Sequence, residues 1–431
     1  MKKVSNSTSR RDLLKGAGTL ALLSAARTLI PGGAFAQTVA GPETNTVTLG
    51  FIALTDSSPL IIAKEKGFFA KYGLTDVKLN KQASWGTTRD NIELGAKSGG
   101  IDGAHILTPM PYLISTGKVT KGPKVPMNIL ARLNTNGQAI SVSKYYKDMG
   151  VGLDSSKMKA VFAKMRQTGG DPKVAVTFPG GTHDLWMRYW LAAGGIDPDK
   201  DVSVIVVPPP QMVANMKVKT MEAFCVGEPW NAQLVNQGIG FTALTTGELW
   251  HDHPEKSVAV RADWADKNPK ATKALTMAVL DAQRWCNTPA NRKEMCDIVA
   301  KREWFKVPVE DIIGRTSGTI DYGTGKKVDN FPYLMKFWDD FASYPYQSHD
   351  SWFVTEDMRW GFLPPDTDVG ALVKSVNRED IWRDAAKTIG VKDAEVPKST
   401  SRGVEKFFDG KTFDPANPKA YLASLKIKRF G

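Results

Sequence analysis

Cysteine is scarce in this chain of 431 residues, which contains only Cys225, Cys286 and Cys296. An odd number leaves at least one free thiol, and no metal-binding or catalytic cysteine cluster is present. Cys225 lies in the apolar segment "AFCVG" and is predicted to be a small buried hydrophobic residue. Whether Cys286 and Cys296 form a disulfide is left open, because sequence alone does not give the geometry.

Other absences narrow the class of protein. No run of lysines and arginines with interleaved aromatics indicates a nucleic-acid-binding face. The nucleophile motif G-x-S-x-G, a cysteine–histidine pair and an acid pair with a base are all missing, so no enzyme is predicted. The Gly-rich segment "FPGGTHDLW" is not a Walker phosphate-binding loop, because it lacks GK[ST]. We therefore expect neither a catalytic site nor a cofactor.

Residues 1–36 have the features of an export signal: a basic start, a modest apolar run and small residues at the end. Ala34-Phe35-Ala36 predicts cleavage before Gln37. The segment "SRRDLLK", from Ser9 to Lys15, is similar to a twin-arginine signal; the alternative is a general secretory signal with two chance arginines. The apolar run is too short to span a membrane, and no lipid-attachment cysteine follows it. A periplasmic protein without a lipid anchor is predicted.

The predicted signal also accounts for much of the net charge. It holds six lysines and arginines against one aspartate, so it carries five of the twelve net positive charges of the chain. The mature protein would keep a charge of seven, an excess that favours anions or simply aids solubility.

From Asn45 onward, short apolar strands alternate with amphipathic helices, which is typical of βαβ units and a mainly parallel sheet. One series includes "TVTLGFIAL", "VKLNKQA" and "IDGAHIL", and a second includes "KVAVTF", "VSVIVVPPP" and "MEAFCVG". A long helix, "KATKALTMAVLDAQRWCN", and a mostly helical tail follow. We predict an α/β protein with two lobes and a ligand cleft between them. Lobe I comprises residues 37–137 and 258–431, and lobe II comprises residues 138–257.

The segment "FPGGTHDLW" joins a predicted strand to a predicted helix and places His183 at the helix start. Free backbone N–H groups and the helix dipole favour an anion at such a turn. His183 could donate a ring N–H to that anion. From these residues alone, a purely structural role in the turn is an equal alternative.

Four further residues offer donors or close backbone approach at equivalent turns. Trp85 begins a helix and can donate its indole N–H, although a core role is an equal alternative. Gln138 follows a glycine where the chain crosses between lobes; an ordinary turn residue is the simpler interpretation. Gly227 ends a strand and lets backbone approach a ligand. Lys256 precedes the returning strand and could supply the main counter-charge.

The segment "HDHPEK" contains His251, His253 and Glu255, which raises the possibility of a metal site. A zinc site needs three or four ligands with fixed supporting contacts. We therefore interpret the segment as a solvated loop and predict no metal.

Several long segments together resemble the solute-binding proteins of nitrate and bicarbonate ABC importers, from about Thr46 to Asn287 and more loosely in the tail. They are "GFIALTDSSPLIIAKEKGFFAKYGL", "SWGTTRDNIELGAKSGGIDGAHILTPMPY", "FPGGTHDLWMRYWLAAGGIDPDKDV", "VVPPPQMVANMKVKTMEAFCVGEPWNAQLVNQG" and "TTGELWHDHPEK". The resemblance implies a type II-like periplasmic binding protein with a ligand cleft, and oxyanion contacts from Trp85, Gln138, His183, Gly227 and Lys256. It also implies a membrane permease and its ATPase subunits as partners.

The resemblance also helps to choose between nitrate and bicarbonate as the ligand. The bicarbonate binders of this family have a similar segment in which "HPE" is followed by an acidic residue that helps hold calcium. This chain has Lys256 at that position. A lysine favours nitrate, which has no proton to donate, with nitrite as a second ligand. Bicarbonate has a hydroxyl and would need an acceptor such as the carboxylate that is missing here. A bicarbonate carrier and a nitrate or nitrite sensor are the alternatives. Relatives that synthesise pyrimidines share the fold, but their Cys-rich motif is absent.

Overall fold

The computed structural model describes residues 41–429, so the predicted export signal lies outside the described residues. Within them, ten strands form two five-stranded sheets and four short strands form two hairpins. In chain order the strands are β1 (Thr46–Phe51), β2 (Asp76–Lys81), β3 (Gly103–Leu107), β4 (Met127–Arg132), β5 (Gln138–Ser143), β6 (Lys173–Val176), β7 (Ser203–Val206), β8 (Ala223–Gly227), β9 (Gly240–Thr245), β10 (Lys256–Arg261), β11 (Ile320–Asp321), β12 (Lys327–Val328), β13 (Glu405–Lys406) and β14 (Thr412–Phe413).

Helices connect the strands and make up most of the region after β10. In chain order they are α1 (Ser58–Glu65), α2 (Phe68–Lys71), α3 (Trp85–Leu94), α4 (Met110–Thr116), α5 (Lys159–Gln167), α6 (Thr182–Ala193), α7 (Met212–Lys217), α8 (Trp230–Asn236), α9 (Thr246–Leu249), α10 (Ala262–Lys267), α11 (Pro269–Asn287), α12 (Arg292–Val299), α13 (Glu310–Ser317), α14 (Gln347–Arg359), α15 (Val369–Val376), α16 (Glu379–Thr388) and α17 (Pro418–Ser424). None of the helices in the described part of the chain is long and apolar enough to cross a membrane.

The two sheets have the same pattern of parallel and antiparallel strands. The first has the order β2-β1-β3-β10-β4, and the second has the order β7-β6-β8-β5-β9. In each sheet, three neighbouring strands are parallel and the fourth is antiparallel to both of its neighbours. The predicted two-lobed α/β fold is confirmed, and the sheets are mixed because β5 and β10 each enter directly after the chain crosses from the other sheet.

The crossings decide which side chains face each other across the cleft. The chain passes from β4 in the first sheet to β5 in the second, and later from β9 back to β10. In parallel sheets the loops at the carboxyl ends of the strands surround the ligand crevice. The amino-terminal residues of β5 and β10, Gln138 and Lys256, pair with Gly227 and Leu107 at the carboxyl ends of β8 and β3. The first residues of β5 and β10 therefore lie at the same edge of their sheets as the carboxyl ends of the parallel strands, and we call this edge the rim.

Apolar side chains build two main cores: the larger one covers the first sheet and includes Ala175, Phe224 and Val226 of the second, and the smaller one covers the rest of the second sheet. The larger core contains Leu49, Ile106 and Val258 from the first sheet, together with Leu275 and Val279 of α11. The helix α11 begins with Pro269 at its first turn, where the missing N–H has no intrahelical partner to lose. Its apolar positions recur at helical spacing, so one face covers the sheet.

The tail after β10 packs on both cores. On α14, Val354 and Met358 belong to the larger core, while Trp352 and Phe353 belong to the core of the second sheet. Trp352 stacks on Trp186 of α6 with ring centroids 5.0 Å apart. The division into lobe I (37–137 and 258–431) and lobe II (138–257) stays a prediction, with α14 in contact with both.

The three cysteines are free and buried. Cys225 belongs to the core of the second sheet, and Cys286 and Cys296 belong to the larger core. Burial raises the pKa of the Cys225 and Cys286 thiols well above the ordinary value, which keeps them protonated. All three act as small apolar side chains.

We expect Asp350→Ala to lower the free energy of unfolding by about 3–5 kcal/mol, because it leaves a buried guanidinium without its partner. Asp350 is fully buried and accepts hydrogen bonds from Arg132 at 2.7 Å, Tyr112 at 2.6 Å and Asn377 at 2.7 Å. Urea unfolding measures the change. The control Asp384→Ala removes a surface pair with Lys273 and should cost less than about 1 kcal/mol. Equal losses for the two variants would contradict the role given to Asp350.

Candidate functional site

The five predicted site residues lie at the facing rims of the two sheets. Trp85 is the first residue of α3, Gln138 the first of β5 and Lys256 the first of β10, while Gly227 is the last residue of β8 and His183 lies in the first turn of α6. The four side chains are buried. The structure therefore brings together residues that are up to 171 positions apart in the sequence, from Trp85 to Lys256.

His183 and Gln138 are joined directly. The Nε2 atom of His183 lies 2.8 Å from Oε1 of Gln138, and its Nδ1 lies 2.5 Å from the hydroxyl of Thr177. Since an amide oxygen only accepts, Nε2 carries the hydrogen and Thr177 donates to Nδ1. Burial, together with the ammonium of Lys256, keeps the pKa of His183 well below its ordinary value. His183 is therefore a neutral imidazole with a fixed N–H.

Lys256 holds the one ammonium of this cluster. Its Nζ lies 2.8 Å from Oε2 of Glu255, 3.0 Å from Oδ2 of Asp56 and 3.5 Å from Nε2 of His183. It also lies 5.8 Å from the ring centroid of Trp85, within cation–π range. Burial by itself would lower the pKa of Lys256, but Asp56 and Glu255 raise it above the ordinary value. The side chain is charged at neutral pH.

Asp56 belongs to the site although the sequence analysis did not select it. It sits in the single helical turn Thr55–Ser57 that follows β1. Its Oδ2 accepts from Gln138 at 3.0 Å and from Lys256, and its Oδ1 lies 2.6 Å from Nε2 of His105. Burial raises the pKa of Asp56, but Lys256 and His105 outweigh it and hold the pKa well below its usual range. An aspartate in a turn is an ordinary feature, so the sequence pattern gave no signal that would have selected Asp56.

Glu255 is the second residue that the sequence analysis missed. Its carboxylate accepts from the hydroxyl of Thr182 at 2.8 Å, from the indole N–H of Trp186 at 3.1 Å and from Lys256. Two of these donors lie on α6, so Glu255 links the lysine to the helix that carries His183. Burial raises the pKa of Glu255 above its ordinary value, against the lowering effect of Lys256.

The interpretation of "HDHPEK" as a solvated loop is wrong for most of the segment. His251 is exposed, but His253, Glu255 and Lys256 are fully buried. His253 bonds Thr246 at 2.8 Å and packs edge-on against Trp186. The segment is drawn inside because it leads into β10, an interior strand of the first sheet between β3 and β4. Within residues 41–429, no group of three histidine, cysteine or acidic side chains could hold a metal.

Trp85 contributes a donor that has no acceptor in the described part of the chain. Its indole Nε1 is buried and forms no hydrogen bond with any of residues 41–429. An unpaired buried donor costs about 1–3 kcal/mol, so such groups are rare without a functional reason. The ring packs against His105 at 5.2 Å between centroids, and Ser84 caps α3 by accepting from the N–H of Thr87. The indole is therefore held in place at the rim.

Gly227 lets the side chains of Gln138 and Asp56 approach the backbone closely. A β-carbon added there would lie 2.6 Å from Oε1 of Gln138 and 3.3 Å from Oδ2 of Asp56. A side chain at this position would displace both polar groups. The arrangement as a whole brings one ammonium, an amide and an imidazole N–H together, with the indole ring of Trp85 centred 5.8 Å from the ammonium. Donor groups of these kinds suit a small oxyanion.

Comparison with known proteins shows the family to which the chain belongs. The profile of the NMT1-like family matches residues 40–300. The chain is 63% identical over 388 residues to the nitrate/nitrite binding protein NrtA of Synechocystis sp., covering 90% of this chain and 86% of the relative. It is 46% identical over 396 residues to the bicarbonate-binding protein CmpA of Synechococcus elongatus, covering 90% and 88%.

A solved structure agrees with the fold. The crystal structure of the periplasmic nitrate-binding protein NrtA from Synechocystis superimposes with a TM-score of 0.88, covering 90% of this chain and all of that one. At this identity and coverage, the likeness extends over both sheets and the tail. The chain therefore belongs to the NMT1-like family and, within it, to the family of solute-binding proteins that includes NrtA.

Proposed function

We propose that this chain is the periplasmic solute-binding component of an ABC importer, that it captures nitrate, with nitrite as a second ligand, and that it delivers the anion to a membrane permease and its ATPase subunits. One observation carries the proposal: the donors of Lys256, Gln138, His183 and Trp85 converge beside Gly227 at the rims of both sheets. The identity to NrtA supports it.

The placement of the donors explains how binding would be signalled to a permease. Trp85 and Lys256 belong to elements of the first sheet, whereas Gln138, His183 and Gly227 belong to those of the second. An anion that binds all of them joins the two sides. Such a ligand favours the closed arrangement of the lobes because its contacts are complete only there.

The choice of nitrate rests on Lys256 and on the higher identity to NrtA than to CmpA. Nitrate accepts hydrogen bonds and needs donors only. One expectation needs correction: we expected the site to lack a carboxylate that could accept a proton donor, but Asp56 and Glu255 both lie against Lys256. Bicarbonate carries a hydroxyl and could donate to Asp56, so it remains the second candidate.

Calorimetric titration of the mature protein, from Gln37 on, decides between the two ligands. Nitrate, nitrite and bicarbonate are titrated in turn, the last with and without calcium. Tight nitrate binding that does not depend on calcium would support the proposal. Calcium-dependent bicarbonate binding without nitrate heat would replace nitrate by bicarbonate as the ligand.

We expect Lys256→Glu to weaken nitrate binding at least about 100-fold, because it replaces a buried counter-charge by a like charge. Lys256→Gln, which removes the charge alone, should weaken it less. Calorimetry measures both dissociation constants. The matched control is Lys273→Glu on α11, whose side chain forms a surface pair with Asp384. Wild-type nitrate affinity in Lys256→Glu would show that the site is assigned wrongly.

We expect Trp85→Phe to weaken nitrate binding about tenfold or more while the free energy of unfolding stays close to wild type. The substitution removes an N–H that donates to nothing within the protein, and a hydrogen bond to a charged group contributes about 1.5–3 kcal/mol. Trp382→Phe is the control: its N–H donates to Ser343 at 3.0 Å, so it should lower stability and leave affinity unchanged. Unchanged affinity in Trp85→Phe would remove the indole from the site.

We also propose export by the twin-arginine pathway, on the basis of "SRRDLLK" in residues 1–36, which lie outside the described residues. Replacement of Arg10 and Arg11 by lysine keeps the charge and should leave the uncleaved precursor in the cytoplasm. Cell fractionation with immunoblotting measures the distribution. Lys2 and Lys3 changed to arginine serve as the control, which should be exported normally. Normal export of the Arg10/Arg11 variant would indicate the general secretory route.

A further inference from the structure

The carboxylate of Asp56 occupies donors that the proposed anion needs. Its Oδ2 accepts from Nζ of Lys256 at 3.0 Å and from Nε2 of Gln138 at 3.0 Å. Both groups belong to the proposed nitrate site. The aspartate and nitrate present the same chemistry, a planar oxyanion, and therefore compete for the same hydrogen bonds.

The buried charges around Lys256 strengthen the competition between Asp56 and nitrate. Lys256 supplies one positive charge, and Asp56 and Glu255 supply two negative charges, all fully buried. Burial lowers the pKa of the three neighbouring histidines, which are therefore neutral: His105 on β3, His183 on α6 and His253 before β10. The nearby ions Arg132 with Asp350 and Arg315 with Glu228 form neutral pairs. The cluster has a net charge of minus one.

A second negative charge in this buried cluster would be costly, because charges removed from water need compensation within the protein. Nitrate has no proton of its own to offer. The compensation must therefore come with the anion from outside, and the available form is a proton that neutralises one carboxylate. The net charge of the cluster then stays at minus one.

We propose that each nitrate binds together with one proton from solvent, which is taken up by the carboxylate of Asp56. This inference rests on the proposed nitrate site. Protonation at Oδ2 frees the donors of Lys256 and Gln138 for the anion and turns Asp56 into an O–H donor facing it. The opposite oxygen, Oδ1, continues to accept from Nε2 of His105.

The hydrogen bonds of the two carboxylates assign the proton to Asp56 rather than Glu255. When Lys256 turns to nitrate, Glu255 still accepts from Thr182 and Trp186. Asp56 loses both Lys256 and Gln138 and keeps His105 alone. His105 remains available because its Nδ1 faces the backbone N–H of Ile52 at 3.5 Å, so that Nε2 carries the hydrogen. With its stabilising partners gone, burial raises the pKa of Asp56.

Wild-type protein tests the inference directly. Nitrate is titrated by calorimetry at one pH in two buffers of different ionisation enthalpy, which counts the protons taken up, and the dissociation constant is measured from pH 6 to pH 8. We expect close to one proton per nitrate and a dissociation constant that rises by up to about tenfold per pH unit. Nitrate binding without proton uptake and without pH dependence would overturn the inference while leaving the proposed function intact. No nitrate binding at any pH would overturn both.

The variant Asp56→Asn locates the proton. Its amide oxygen still accepts from His105, and its amide N–H takes the place of the protonated carboxyl. We expect proton uptake to vanish, the pH dependence to disappear, and affinity at pH 8 to rise about tenfold, because a like charge beside the anion is gone.

Two further variants complete the design. Glu255→Gln should keep the proton uptake. The control Asp102→Asn should match wild type, since Asp102 lies beyond the far end of β3, where it accepts from the backbone of Thr48 at 2.9 Å. Proton uptake that persists in Asp56→Asn and vanishes in Glu255→Gln would overturn the assignment to Asp56.

Discussion

The buried ammonium of Lys256 is the interaction on which the rest of the site depends. It is completely removed from water and is stabilised by Asp56 and Glu255. Each carboxylate is in turn held by neighbours from other elements: His105 on β3 for the first, and Thr182 and Trp186 on α6 for the second. A buried charge needs such compensation, and here the compensation ties both sheets to one point.

The need to compensate this buried charge explains why the two carboxylates beside Lys256 have different partners. Glu255 is anchored to α6, so it fixes Lys256 against the helix that presents His183. Asp56 is anchored only through His105 and otherwise bonds groups that also face the cleft. One carboxylate therefore positions the cation, while the other is the one that, in our proposal, gives up the lysine to the anion. The unpaired indole N–H of Trp85 completes the donors on the side of the first sheet.

Much of the fold was predictable from local pattern. Alternating apolar segments predicted the strands β1, β2, β3, β6, β7, β8 and β10, and helical spacing with a leading proline predicted α11. These features depend on neighbours in the sequence, which is why local reasoning finds them. The strands β4, β5 and β9 were not identified. The antiparallel direction of β5 and β10 was also missed, because strand direction follows from where the chain crosses between sheets.

The sequence by itself determined which residues could bind an oxyanion: Trp85, Gln138, His183, Gly227 and Lys256 all stand where a strand meets a helix or a crossing, and the resemblance to a known family selected the same five. Only the tertiary structure decided that Asp56, His105 and Glu255 belong with them. Nothing local marks these three, since an aspartate in a turn, a histidine in a strand and a glutamate in a polar segment are ordinary. Their role comes from burial beside Lys256, and burial is a property of the packed fold.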